Sequence, residues 1–480
     1  MKRTLFPVAV LTVLYLAALA LWPEALNHNS EYQWPVLRHG MTLKLVPAGL
    51  ALILIMAIIV SHYRKTDWEE LTFWKRERLI ILVLLTGVAS QVIPMTVHRM
   101  GLLEFPLRVY LADHTSYFTD AVLLKKNQDW MRNFPELVPQ LHTHSRTHPP
   151  GAISLFQTII KATEFLPKFV AWYNHKIPRS QEAAEHFNLA PEEIAAGGIS
   201  AFLLLSLALL SLVLFYQTGM ALVEREDALW LGVCFFLFTP TFSNKSPILD
   251  QLFAFFIFFG LNGFTIGIKK KEYFLVFAAG IWFACGLWWS YTFLAALPLA
   301  CLIAFSVWWK DRSIFLLHAL GLLLLGFLTV PLLLSWVSNY DLVAIYRANL
   351  AGWHFNNTVS GRIHMWKWIL FNPYEFFAWL GVPIFLLFAL AVWREIKKAW
   401  RKQWDRIDPF TWAIVLFGIA LDLSGRVCYE SPRLAWFYAP LVCLVAAKGF
   451  TETEGSNRAW PLAIVLVLQA ATVLVFRMLF

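Results

Sequence analysis

Runs of about 18 to 25 predominantly apolar residues recur along this chain, and each is long enough to cross roughly 30 Å of hydrocarbon as a helix. A chain of 480 residues that is 59% hydrophobic and only 15% charged cannot bury its apolar surface in one water-soluble core. Its place is a bilayer. Spans are expected near 4–22, 43–61, 79–97, 198–216, 228–243, 251–268, 273–289, 291–309, 314–337, 376–393, 410–422, 434–448 and 460–477, which makes about thirteen crossings. The expected fold class is an all-α polytopic integral membrane protein. The first run has no small-residue cleavage site after it, so it reads as a retained span rather than a signal peptide.

The formal net charge of +9 would suit nucleic acid, but the basic residues sit in short connections between spans. Arg64, Lys65, Lys75, Arg76 and Arg78 form one cluster and Lys269, Lys270 and Lys271 another. Lys310 with Arg312 forms a third, and Arg394, Lys397, Lys398, Arg401 and Lys402 a fourth. All fall on one side if Met1 is inside and every span crosses once, which is the positive-inside pattern and leaves no nucleic-acid partner to invoke. Cys234, Cys285, Cys301, Cys428 and Cys443 are scattered, mostly within apolar runs, and read as packing residues rather than a disulfide framework.

This threading divides the chain into three N-terminal spans over 1–98, one long external loop over 99–198, and a bundle over 199–480 with external loops at 338–375 and 424–433. The 99–198 loop is rich in histidine, proline and charge, with six of the thirteen histidines, so function is sought there. Within it, 105–124 and 151–172 read as amphipathic helices of the kind that lie in a membrane interface, and 127–150 as irregular.

The stretch HTHSRTHPPGAIS at 142–154 admits three readings. His142, His144 and His148 are potential zinc or copper ligands, although no fourth ligand is apparent nearby. They equally suit a solvated polar loop. The third reading is a catalytic pocket, and it depends on LADHTSYFTDA at 111–121, where Asp113 is followed four residues later by Tyr117.

Asp113 with Tyr117, then His148-Pro149-Pro150 opening the next helix, resembles the order found in GT-C membrane glycosyltransferases. The similarity is to the branch of protein O-mannosyltransferases and lipid A aminoarabinose transferases. There the first large external loop carries an acidic pair followed by an aromatic, then a Lys-Pro-Pro or His-Pro-Pro. The resemblance covers about 99–175 at motif level. Two extra N-terminal spans precede the loop, and His114 stands where the family has its second carboxylate, which bears on any metal an acidic pair would hold.

The resemblance implies a GT-C-like bundle and an enzyme of the cell envelope, mannosyltransferase-like in plan. Such an enzyme moves a sugar from a polyprenyl-phosphate carrier to a lipid, glycan or protein acceptor on the periplasmic or lumenal face, with inversion. A bacterial inner or plasma membrane is favoured over the endoplasmic reticulum. No cofactor is assured, a divalent cation stays open, and no metal-ligand residues are assigned.

Such chemistry needs a carboxylate to accept the acceptor's proton, and Asp113 is the candidate, with Asp120 as the alternative base two helical turns on. Otherwise Asp120 reads as a solvated carboxylate on the polar side of an interfacial helix. The departing phosphate needs cations, best supplied as forked donors. Arg433 is the first candidate, with Arg426 and Glu430 beside it in GRVCYESPR, while His148 is a second phosphate contact. An arginine at a helix start also snorkels toward headgroups with no further role. His354 and Arg362 lie in a loop of mixed polar and aromatic residues that suits a sugar surface or an interfacial tryptophan belt, and Lys245 and Asp250 are placed outside as well. The rival from another class is a polytopic transporter or lipid-linked sugar flippase, which would show charged or broken helices near mid-membrane. A membrane acyltransferase or ligase would share the polar loop without the Asp-to-Pro-Pro order.

Overall fold

The computed structural model describes residues 2–22, 44–97, 101–111, 116–177, 186–338, 341–360, 365–426, 431–453 and 458–479. Every regular element among the described residues is helical. That follows from the solvent: in hydrocarbon, peptide groups find no water, and a helix satisfies them within the segment. Seven helices are long and apolar enough to cross a membrane: Leu45–Lys65, Phe73–Val97, Pro191–Leu222, Asp250–Lys270, Thr292–Asp311, Phe315–Trp336 and Ala459–Leu479. The bent pair Trp366–Leu380 and Val382–Trp400 adds an eighth if it forms one span. Leu5–Leu21, Tyr273–Gly286 and Pro409–Leu423 are apolar but shorter.

Two expected spans therefore change character. The run near 228–243 forms a helix only over Glu226–Leu237, about 18 Å at 1.5 Å per residue, too short to cross alone. Thr239 then caps a second short helix, Pro240–Asn244, by accepting the Phe242 N–H. The run near 376–393 breaks between Leu380 and Val382 with a 116° bend. Gly381 takes φ +97°, Pro383 follows in the first turn, and the Gln469 amide donates to the Leu380 carbonyl at 2.7 Å.

The expected loop helices are also interrupted. The first divides into Glu104–Tyr110 and Tyr117–Leu124, with Ser116 at φ +55° before the second, and 112–115 lies outside the described residues. The second divides into Gly151–Glu164 and Pro167–Lys176. Tyr117–Leu124 is packed inside protein rather than laid on a surface. Tyr117, Phe118, Asp120, Ala121 and Leu124 are buried, and Phe118 meets Phe156 of Gly151–Glu164 edge to face.

Ion pairs and carbonyl contacts gather the basic connections at one end of the bundle. Arg76 pairs with Glu226 at 2.7 Å, and Arg225 and Arg458 share Asp227. Lys448 pairs with Asp408, Lys269 reaches the Met220 carbonyl, and Arg394 reaches that of Gly449. These contacts join the adjoining ends of eight helices. The loop 101–177 packs at the other end, where the Tyr110 hydroxyl donates to the Ile194 carbonyl and Lys125 meets Glu193 at the start of Pro191–Leu222.

Candidate functional site

The Pro-Pro-Gly turn explains how the loop meets the bundle. Pro149 and Pro150 are buried and hold their φ near the helical value before Gly151–Glu164 begins. The Gly151 N–H donates to the Trp288 carbonyl at 2.9 Å, and any Cβ at 151 would collide with that carbonyl and with the Trp288 and Trp289 rings. Only glycine permits this approach.

Directly before the turn, His148 places its ring edge to face with buried Tyr117 at 5.5 Å and stacks on Phe253 at 6.3 Å. Its Nδ1 lies 3.0 Å from the His144 carbonyl; a carbonyl only accepts, so Nδ1 carries the hydrogen. The structure thus brings together Tyr117 and His148 from distant parts of the loop. Asp113, Arg362 and Glu430 lie outside the described residues, and of Arg433 only its place in the first turn of Ser431–Thr453 is described.

Asp120 is not a solvated carboxylate. It is fully buried, its Oδ1 lies 2.7 Å from Nδ1 of His142, and its Oδ2 accepts the His142 backbone N–H at 3.3 Å. A buried carboxylate without such partners would be costly. Ser116, left-handed at the helix start, adds a second tie: its hydroxyl accepts the Ser145 N–H at 3.1 Å.

Helix Leu342–Val359, part of the 338–375 segment expected as a loop, closes over this stretch. The Asn356 amide donates to the Thr143 carbonyl at 2.8 Å, and Asn349 donates to that of Arg146 at 2.9 Å while accepting the Tyr291 hydroxyl. Gly352 lets Arg146 lie against the helix axis. Arg146 itself donates to the carbonyls of Pro139 and Leu141 and to Asn356, with its guanidinium 4.8 Å from the Phe355 ring centre. Further along, His354 is exposed and touches Trp353, and Arg426 lies over the same Trp353 ring at 5.5 Å. Lys245 lies over Trp379 at 4.3 Å, and Asp250 is buried.

Beneath the loop, Glu104 is shared by two buried arginines, Arg108 from its own helix and Arg477 from Ala459–Leu479. Arg108 also donates to the carbonyls of Asn244 and Ser246. Burial pulls the Arg108 guanidinium down to about 10, so it stays charged at neutral pH. At the loop margin, partial burial pushes the Lys125 ammonium down, but Glu164, Glu193 and Glu192 outweigh this and raise it.

Arg146, Asn349, Tyr291 and the Glu104 cluster had no place in the sequence reading. Among the described residues no three His, Cys, Asp or Glu side chains converge as metal ligands; His142 turns to Asp120 and His148 to a carbonyl. The arrangement can move a proton through a carboxylate–imidazole pair, and it presents cations against aromatic faces. Comparison with family models and with curated protein sequences finds no match for this chain.

Proposed function

We propose that this multi-pass membrane protein is a glycosyltransferase of the GT-C kind. It would transfer a sugar from a polyprenyl-phosphate-linked donor to a lipid, glycan or protein acceptor at the loop-bearing external face of a bacterial inner or plasma membrane, with inversion. The plan of about thirteen crossings with 99–198 outside belongs to this proposal. The observation that supports it most is the meeting of Tyr117 and His148, on which the resemblance rests, within a packed loop that also buries Asp120. A solvated loop has no reason to bury a carboxylate. Proton acceptance falls to a loop carboxylate: Asp113 by the resemblance, with Asp120 as the alternative. His148, Arg426 and Arg433 are the cations offered to the donor phosphate, with His354, Arg362 and Glu430 bordering the sugar.

One observation favours transport of a lipid-linked sugar instead. The 116° break at Gly381 is the kind of discontinuous helix that lines substrate paths in transporters. Purification in lipid followed by mass spectrometry of bound polyprenyl phosphates, then incubation with a radiolabelled polyprenyl-phosphate sugar, separates the two. A glycosyltransferase releases the free polyprenyl phosphate; a transporter leaves the sugar–phosphate bond intact. Failure to bind any such lipid removes both.

A further inference from the structure

Both oxygens of Asp120 are directed at one residue, His142. The contact at Nδ1 holds the neutral imidazole as its Nδ1–H tautomer and leaves the lone pair on Nε2. Burial divides the pair sharply: the Asp120 side chain is 0% exposed and that of His142 is 44% exposed. The carboxylate is shielded on the inner side of the ring, while the imidazole as a whole stays partly exposed.

The backbone around His142 is held as well. The carbonyl before it, Leu141, accepts from Arg146 at 2.8 Å, and the carbonyl after it, Thr143, accepts from Asn356 at 2.8 Å. Ser116, in a left-handed conformation that serine rarely adopts, ties the start of the Asp120 helix to Ser145. A histidine in a merely solvated loop needs none of these constraints; a proton acceptor that must meet its target at hydrogen-bond range needs all of them.

We propose that His142, positioned by Asp120, is the acid–base residue of this site. Its Nε2 takes the proton of the acceptor hydroxyl as the acceptor oxygen bonds to the anomeric carbon of the sugar. The bond from that carbon to the phosphate oxygen breaks, and its electron pair leaves with the lipid phosphate. The imidazolium then returns its proton to water. This assignment rests on the glycosyl-transfer reading and replaces a carboxylate acting directly, on Asp113 or Asp120, with an imidazole that Asp120 orients.

The test uses membrane vesicles from cells that make the full-length protein, which carry its acceptor, with a radiolabelled polyprenyl-phosphate hexose. His142→Ala and His142→Asn should each lower kcat by about 100-fold or more while leaving the donor KM nearly unchanged; the asparagine amide retains a donor toward Asp120 and guards against misfolding. Asp120→Asn should fall comparably, and the double variant should be no worse than His142→Ala alone, because the two groups act as a unit. Added imidazole should restore part of the His142→Ala activity and none of the Asp120→Asn activity, a response that a structural tie cannot give. Near-normal turnover in His142→Asn, or a loss that imidazole does not relieve, overturns the assignment. So does an Asp113→Asn enzyme that is dead beside fully active His142 variants. Wild-type vesicles that leave the sugar lipid intact overturn the glycosyl-transfer reading and this assignment with it.

Discussion

The two ends of the bundle satisfy their polar side chains in different ways. At the basic end most contacts set charge against charge, Arg76 with Glu226, Arg225 and Arg458 with Asp227, Lys398 with Glu395 and Lys448 with Asp408, while Lys269 and Arg394 reach carbonyls and Arg312 lies over Trp308. At the loop end, ion pairs lie beneath the loop at Glu104 and at its margin around Lys125. Between them, Arg146, Asn349 and Asn356 bond to backbone carbonyls, Arg426 lies on a tryptophan face, and the carboxylate of Asp120 is bound to an imidazole. Opposite charges that neutralise each other fix helix ends and leave little field for a ligand. A guanidinium resting on a ring keeps its charge and its donors for an anion. Under the glycosyl-transfer proposal, the first end would fasten the helices and the second would be the one to meet a substrate.

The broadest way to break this comparison is to ask which end faces outside. In a cysteine-free background, a cysteine at exposed Gln128 should react with a membrane-impermeant maleimide on intact cells, while one at exposed Lys402 should react only after permeabilisation. The contrast is all or none. The reverse pattern would place the polar loop inside and remove the case for external chemistry.

A smaller effect sharpens the division of roles. Arg146→Ala strips donors from the Pro139 and Leu141 carbonyls and from Asn356, so it should cost about 1–3 kcal/mol of stability and also depress turnover, because the backbone around His142 loosens. Arg76→Ala at the other end breaks a pair whose arginine is 40% exposed, and should cost under about 1 kcal/mol with turnover unchanged. Detergent unfolding midpoints and donor turnover, measured on both variants, check this. Equal damage to turnover would erase the distinction between the ends.

How far these ends were legible in the sequence depends on the range of the signal. Apolar run length and clustered lysines and arginines are local, and they carried the helical membrane plan. The order of Tyr117 and His148 was legible because motif order survives without geometry, and the two rings meet. The break at 381 had its signal in Gly381 and Pro383 inside an apolar run, but run length alone outweighed them. Asn349, Gly352 and Asn356 recur at helical spacing, a face made for close approach, within a stretch whose mixed composition suggested a loop. The pairing of Asp120 with His142 had no such trace. It depends on a left-handed Ser116 and a chain that doubles back, and neither leaves a periodicity to read. Arg477 inside an apolar run called for a partner, yet nothing along the chain pointed to Glu104.

The smallest expected effect probes the basic end by pH. Burial by itself would raise the Asp408 carboxyl, but the Lys448 ammonium beside it, with the Thr411 hydroxyl and N–H, holds it below the usual carboxylate range. A carboxyl whose folded pKa lies below its unfolded one contributes stability that is complete above the unfolded value of about 4 and fades as pH falls through the folded value. Lys448→Met removes the main cause of the depression. Unfolding midpoints between about pH 3 and pH 6 should therefore fall less steeply with acid in Lys448→Met than in the wild type, from a lower starting point near neutrality. The loop-end enzyme activity, read at neutral pH, should not change. Parallel acid slopes in the two proteins would mean that Asp408 draws its stabilisation from the Thr411 cap alone, and that the charge pairs at this end do less to fasten the helices than their geometry indicates.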